Sequence, residues 1–130
     1  MAKIMVVDDS PDIIWIYTTI LEKAGHTIIS ASSGEEALRI LEKESPDLIL
    51  LDIMMPGMDG WEVCRRIKEN EKTKKIIVVM VSVRAEEEDI KKSIEYAHAD
   101  AHVNKLSSAD IVDVVRKHLK EGESKAAEIF

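Results

Sequence analysis

Three carboxylates, a serine and a lysine follow apolar runs in this chain: Asp8 and Asp9 after MVV, Asp52 after LILL, Ser82 after VVMV, and Lys105 just past the run Ala101 to Val103. Burying unpaired charge is costly. Three carboxylates brought together also raise one another's pKa unless a cation neutralises them. Oxygen donors with neither thiolates nor paired histidines select a hard ion such as Mg²⁺, which keeps several waters and takes phosphate oxygens as further ligands. A lysine ammonium pairs with a phosphoryl oxygen, and a serine hydroxyl donates a hydrogen bond to one. One aspartate after a strand is most often a turn or cap residue. The pattern carries weight because these residues follow four separate runs.

The elements that must position them are βα units. Strand-length apolar runs occur at Ile4 to Val7, Thr27 to Ala31, Leu48 to Leu51, Ile76 to Val81 and Ala101 to Val103, with amphipathic helix-length segments between them. Strands alternating with helices imply α/β architecture: a parallel sheet covered on both faces, with right-handed crossovers. In such a sheet the carboxyl ends of the strands share one edge, where ligands bind. Helix starts are marked by Ser10 with Pro11, by Ser33 with Glu36 and by Asp59 with Glu62. Glu87 with Lys91 and Glu88 with Lys92 predict helix pairs ahead of Ile90 and Ile94, and Ser107 is placed to cap the last helix, with Ile111, Val114, Val115 and Leu119 inward. The chain divides into a domain over 1–121 and a segment over 122–130, GESKAAEIF, read as a tail or the start of a linker.

Composition narrows the function. The 130 residues are 45% hydrophobic and 33% charged, the range of a globular domain. No apolar run approaches the length of a membrane span, and MAKIMVVDD reaches its acidic pair too soon for a secretory signal. A lone Cys64 forms no internal disulfide, so a cytoplasmic location is expected, and its mid-helix position lacks the histidine a catalytic thiolate needs. A net charge of −7 argues against direct nucleic-acid binding. Lys72, Lys74 and Lys75 read as a solvated basic spot in a loop. His26, His98 and His118 do not have metal-cluster spacing. Trp15 and Trp61 read as packing residues on helices, with partial exposure and a contact role the alternative for Trp15, and the methionines of DIMMPGMDG read as loop packing.

Over about Lys3 to Lys120 the sequence resembles the receiver domain of the two-component response regulators, the CheY-like family. The motifs are VVDDSP at Val6 to Pro11, LILLDIMMPGMDGWE at Leu48 to Glu62, VVMVS at Val78 to Ser82, and the lysine of AHVNK. The resemblance implies a flavodoxin-like, doubly wound five-stranded parallel sheet of order 2-1-3-4-5. It implies that Asp52 is the phosphoacceptor, that Asp8, Asp9, Asp52 and the backbone carbonyl of Met54 hold Mg²⁺, that Ser82 binds the phosphoryl group, and that Lys105 pairs with it. The implied role is a single-domain phosphorylation switch, not a free-standing enzyme. It would take its phosphoryl group from a sensor histidine kinase or phosphotransfer protein and signal to a downstream protein target, as a monomer or weak phosphorylation-dependent dimer.

Three positions depart from the family pattern. Leu106 replaces the usual proline after the lysine. His102 occupies the position of an inward-turning tyrosine or phenylalanine, and reads as a surface histidine on an edge strand. Val83 replaces a smaller residue, which is expected to narrow the phosphorylation pocket. Met54 and Arg84, two residues after Asp52 and Ser82, are expected to set the acyl phosphate lifetime, with apolar Met54 slowing its hydrolysis.

Other readings stay open. Leu106 and His102 favour a constitutive receiver-like interaction module, which the Asp8, Asp9, Asp52, Ser82 and Lys105 set opposes. A Mg²⁺-dependent phosphatase with an aspartyl nucleophile lacks its general acid, because the position two after Asp52 is Met54. The chain also fits a receiver fragment of a longer regulator or hybrid kinase.

Overall fold

Alternation in the strands and capping at the helix starts together produce the layers. In β1 (Lys3–Val7), Met5 and Val7 face one side of the sheet while Ile4 and Val6 face the other, as the two-residue period of a strand requires. The computed structural model describes residues 2–105 and 108–129, with side chains described for all of these except 108–109 and 122–129. The remaining elements are α1 (Pro11–Lys23), β2 (Thr27–Ala31), α2 (Gly34–Ile40), β3 (Leu48–Leu51), α3 (Gly60–Glu69), β4 (Ile77–Ser82), α4 (Glu87–Lys91), β5 (Ala101–Asn104) and α5 (Ser108–Ile129). The five strands are parallel in the order β2-β1-β3-β4-β5, the flavodoxin-like arrangement expected.

One core lies under α2 and α3, where Ala37, Val63, Cys64 and Ile67 pack on Met5, Ile49, Leu51 and Met80. The other lies under α1 and α5, where Tyr17, Leu21, Ile111 and Val115 pack on Ile4, Val6, Leu50 and Val79. Buried on both faces, β3 is apolar at every position, as a central parallel strand must be.

The caps at Ser10, Ser33 and Asp59 accept from the backbone amides of Ile13, Glu36 and Glu62. The reciprocal half of each predicted capping box is absent. The Glu36 carboxylate accepts from the Ser32 hydroxyl, and Glu62 is held by Arg65 and Arg66, whose hydrogen bonds bring its carboxyl down to about 2.

The fourth helical segment departs most from its expectation. After Lys91 the helix widens into a π turn over Lys92–Tyr96, closed by the Ala97 amide on the Lys92 carbonyl. Its inward face is polar, with Asp89 and Ser93 buried, while Ile90 and Ile94 are 39% and 42% exposed. Rather than completing a surface pair with Glu88, the Lys92 ammonium lies over the Trp61 ring, 4.3 Å from its centroid.

The backbone of α5 is helical through Ile129, past the Gly122 at which a tail was expected to begin. Leu106, the Ser107 cap and Phe130 lie outside the described residues. Among the described residues no helix is long and apolar enough to cross a membrane.

Candidate functional site

Sheet register assembles the acidic cluster. Val7 of β1 pairs with Leu51 of β3, so the strands end side by side and Asp8 meets Asp52. The Asp52 amide donates to the Val7 carbonyl at 3.0 Å, and the Asp8 amide to the Ala31 carbonyl at 3.1 Å. Asp8, Asp9 and Asp52 each offer one carboxylate oxygen within 4.8 Å of the others. Asp8 and Asp52 are 4% and 8% exposed, whereas Asp9 opens to solvent.

Lys105 reaches this cluster from the far edge of the sheet. Its backbone amide donates to the Ser82 carbonyl at 2.9 Å. Its ammonium lies 2.6 Å from Asp8 Oδ2 and 3.6 Å from Asp52 Oδ1. The Asp8 Oδ1 accepts from the Ser10 amide at 2.9 Å, so that carboxylate has a hydrogen-bond donor on each oxygen. Asp52 is less well compensated. Desolvation, reinforced by the Asp8 charge and only partly opposed by Lys105, pushes its carboxyl up from 3.8 to about 6. For Lys105, burial acts downward, but the hydrogen bond to Asp8 and the charge of Asp52 outweigh it and hold the ammonium above its ordinary value. The cluster retains an excess of negative charge, and its all-oxygen donor set fits a hard divalent cation such as Mg²⁺.

The loop after Asp52 is held by a close approach at Gly60. A Cβ there would stand 2.1 Å from the Asp52 carbonyl oxygen, and the Gly60 amide donates to the Ile53 carbonyl at 2.9 Å. Gly57, at φ +77°, supplies the left-handed turn that returns the chain to α3. The Pro-Gly and Asp-Gly pairs therefore fold the start of α3 against the strand end that carries Asp52.

Ser82 is fully buried at the end of β4, and its Oγ accepts from the Arg84 amide at 3.0 Å. The Arg84 guanidinium pairs with buried Asp89 at 2.9 Å, lies 5.3 Å from the Trp61 ring centroid and places Nη1 3.5 Å from the Met54 sulfur. A cleft of about 550 Å³ opens here, with Asp9, Met54, Met55, Trp61 and Arg84 among its walls.

Four sequence expectations need correction. His102 is no free surface histidine: its Nδ1 lies 2.7 Å from Ser93 Oγ and its Nε2 2.8 Å from the Arg84 carbonyl. Val83 is 77% exposed and stands outside the cleft lining, to which its neighbour Arg84 contributes instead. Trp15 is 69% exposed and not a packing residue, whereas Trp61 is buried. The loop methionines divide, Met55 being buried and Met54 51% exposed. Cys64 donates to the Ala97 carbonyl, and burial pushes its thiol up to about 12, consistent with an inert packing role. Sequence reasoning missed Asp89 and Ser93. Their spacing of four on one helix face was the available signal, masked by the isoleucines beside them.

A second cavity, of about 460 Å³, has Leu38, Leu41, Arg66, Asn70 and Lys72 in its lining and includes none of the acidic cluster.

Comparison with known proteins agrees with this geometry. The sequence profile of the response regulator receiver domain matches residues 4–123. The transcriptional regulatory protein AfsQ1 of Streptomyces coelicolor is 33% identical over 98% of this chain, which spans 56% of AfsQ1's length. Protein PilH of Pseudomonas aeruginosa is 37% identical over 68% of the chain and 74% of its own length. A CheY-like receiver domain structure from Methanospirillum hungatei superposes with a TM-score of 0.88 at 28% identity, covering 96% of this chain and 98% of that one. With its doubly wound sheet and its acidic cluster at the strand ends, the chain belongs to the response regulator receiver domain family.

Proposed function

We propose that this protein is a phosphorylation switch whose phosphoacceptor is Asp52. The observation that carries the reading is a buried, undercompensated carboxylate at a strand end, flanked by Asp8, Asp9 and the Lys105 ammonium. A carboxylate oxygen of Asp52 attacks phosphorus, the bond from phosphorus to the donor's leaving group breaks, and an acyl phosphate forms. Asp8, Asp9, Asp52 and the Met54 backbone carbonyl would hold Mg²⁺, which when bound supplies charge neutralisation for the phosphoryl oxygens. Lys105 pairs with the transferred group, exchanging part of its contact with Asp8. The Ser82 oxygen already accepts from Arg84, which leaves its hydroxyl proton for a phosphoryl oxygen.

The donor is a sensor histidine kinase or phosphotransfer protein, and the output is contact with a downstream protein in the cytoplasm, with no direct nucleic-acid binding. The receiver domain is monomeric or dimerises weakly on phosphorylation. Phosphorylation biases a two-state equilibrium that alters the surface of α4, β5 and α5.

Intact mass after incubation with acetyl phosphate tests the chemistry. A Mg²⁺-dependent gain of one phosphoryl group that disappears in Asp52→Asn is expected. A folded wild type that gains nothing from acetyl phosphate or from a phosphorylated phosphotransfer protein would remove the reading.

A further inference from the structure

Both nitrogens of His102 are engaged, and the Arg84 carbonyl fixes the direction of one bond. The Arg84 carbonyl can only accept, so Nε2 carries the ring proton in the 2.8 Å contact. In the tautomer that carries its one proton on Nε2, Nδ1 accepts from the Ser93 hydroxyl at 2.7 Å. The Ser93 oxygen in turn accepts from the Trp61 indole N–H at 2.9 Å. Each bond supports the next, and both Ser93 and Trp61 are buried.

The other end of this chain is the site itself. Arg84 donates its amide to Ser82 Oγ at 3.0 Å, gives its carbonyl to His102, and commits its guanidinium to Asp89. The turn that follows β4 is thereby pinned on both sides of one residue. A continuous hydrogen-bonded path runs from Ser82 through Arg84, His102 and Ser93 to Trp61 on α3. A phenylalanine or tyrosine ring at 102 would fill similar space and make neither ring-nitrogen bond.

We propose that His102 is a positioning residue for the phosphorylation site, holding the Ser82–Arg84 turn through the Arg84 carbonyl and anchoring it on Ser93 and Trp61. The proposal rests on Asp52 being the phosphoacceptor. The turn that presents the Ser82 hydroxyl is then fixed before the phosphoryl group arrives, and the rate of transfer depends on that preorganisation.

The test compares rates of Asp52 phosphorylation by acetyl phosphate with Mg²⁺, followed by intact mass on the full chain, in wild type and three variants. His102→Phe keeps a ring and loses both bonds. His102→Gln places an amide donor where Nε2 stands. His102→Asn is too short to reach the Arg84 carbonyl and supplies a small polar alternative where the Phe variant fails to fold. The Phe and Asn variants are expected to react about five- to tenfold more slowly, the effect of losing about one net hydrogen bond. The Gln variant is expected to recover to within about twofold of wild type. A nitrogen-detected imidazole spectrum of the wild type should show the proton on Nε2. Wild-type rates in the Phe and Asn variants, or a Gln variant as slow as they are, would overturn the positioning role while leaving Asp52 as acceptor. A wild type that gains no phosphoryl group at all would remove the phosphoacceptor reading and this role together.

Discussion

Replacing Asp52 with asparagine should make the protein more stable at neutral pH, although it removes the proposed acceptor. Folding raises the Asp52 carboxyl from 3.8 to about 6, with burial as the leading cause. The folded state thus binds the proton more tightly than the unfolded state. The associated stabilisation is present in full below about pH 4 and is lost as pH rises through about 6. Above that, holding the ionised group costs the folded state about 3 kcal/mol. Asparagine abolishes the titration, so its advantage is nil near pH 4 and grows to a ceiling of about 3 kcal/mol at pH 7.5. The figure is a ceiling because the amide no longer attracts the Lys105 ammonium, 3.6 Å away. For a domain of this size that corresponds to a Tm increase of up to about 10 °C. Thermal unfolding of both proteins in chelator, at pH 4 and pH 7.5, measures it. A Tm gain equal at the two pH values, or a loss at pH 7.5, would show that Asp52 is not held against its charge.

Mg²⁺ should act in the opposite direction on the wild type, raising Tm by an amount that grows with concentration and reaches about 2.7 kcal/mol of stabilisation at a hundredfold excess over Kd. Chelator should reverse the effect, and Asp9→Asn should weaken it, as read by the same melts. Gly60→Ala drives a Cβ into the Asp52 carbonyl, 2.1 Å away. It should cost about 3 kcal/mol or more in urea unfolding, and a change under about 0.5 kcal/mol would mean that α3 shifts freely. Met54→Asn places a polar group where the Met54 sulfur now meets Arg84. It should shorten the acyl phosphate lifetime severalfold by orienting water, measured as loss of the phosphorylated mass after donor removal.

The βα alternation and the convergence of Asp8, Asp9, Asp52 and Lys105 were legible in the sequence, because strand periodicity and parallel topology dictate both. Ser10, Ser33 and Asp59 announced their caps for an equally local reason. The fourth helical segment was misread because its isoleucines are regularly spaced, yet the inward face belongs to Asp89 and Ser93, whose partners Arg84, Trp61 and His102 are distant in sequence. Periodicity identifies a face and does not say which face is turned inward when buried polar groups satisfy one another. Trp15 shows the converse: it lies among inward residues of α1, and only the rotation of the packed helix exposes it.

Lys105 has a consequence for local dynamics. The ammonium that balances Asp8 and Asp52 is carried just past β5, an edge strand of four residues, none of which is fully buried. The carboxylates follow directly after β1 and β3, two interior strands of the sheet. Fraying of that margin would withdraw the positive charge and leave the acidic cluster in place, so the site's charge balance is set by an edge strand. Amide hydrogen exchange along Ala101 to Asn104 therefore reports on the electrostatics of the site as well as on the edge of the sheet.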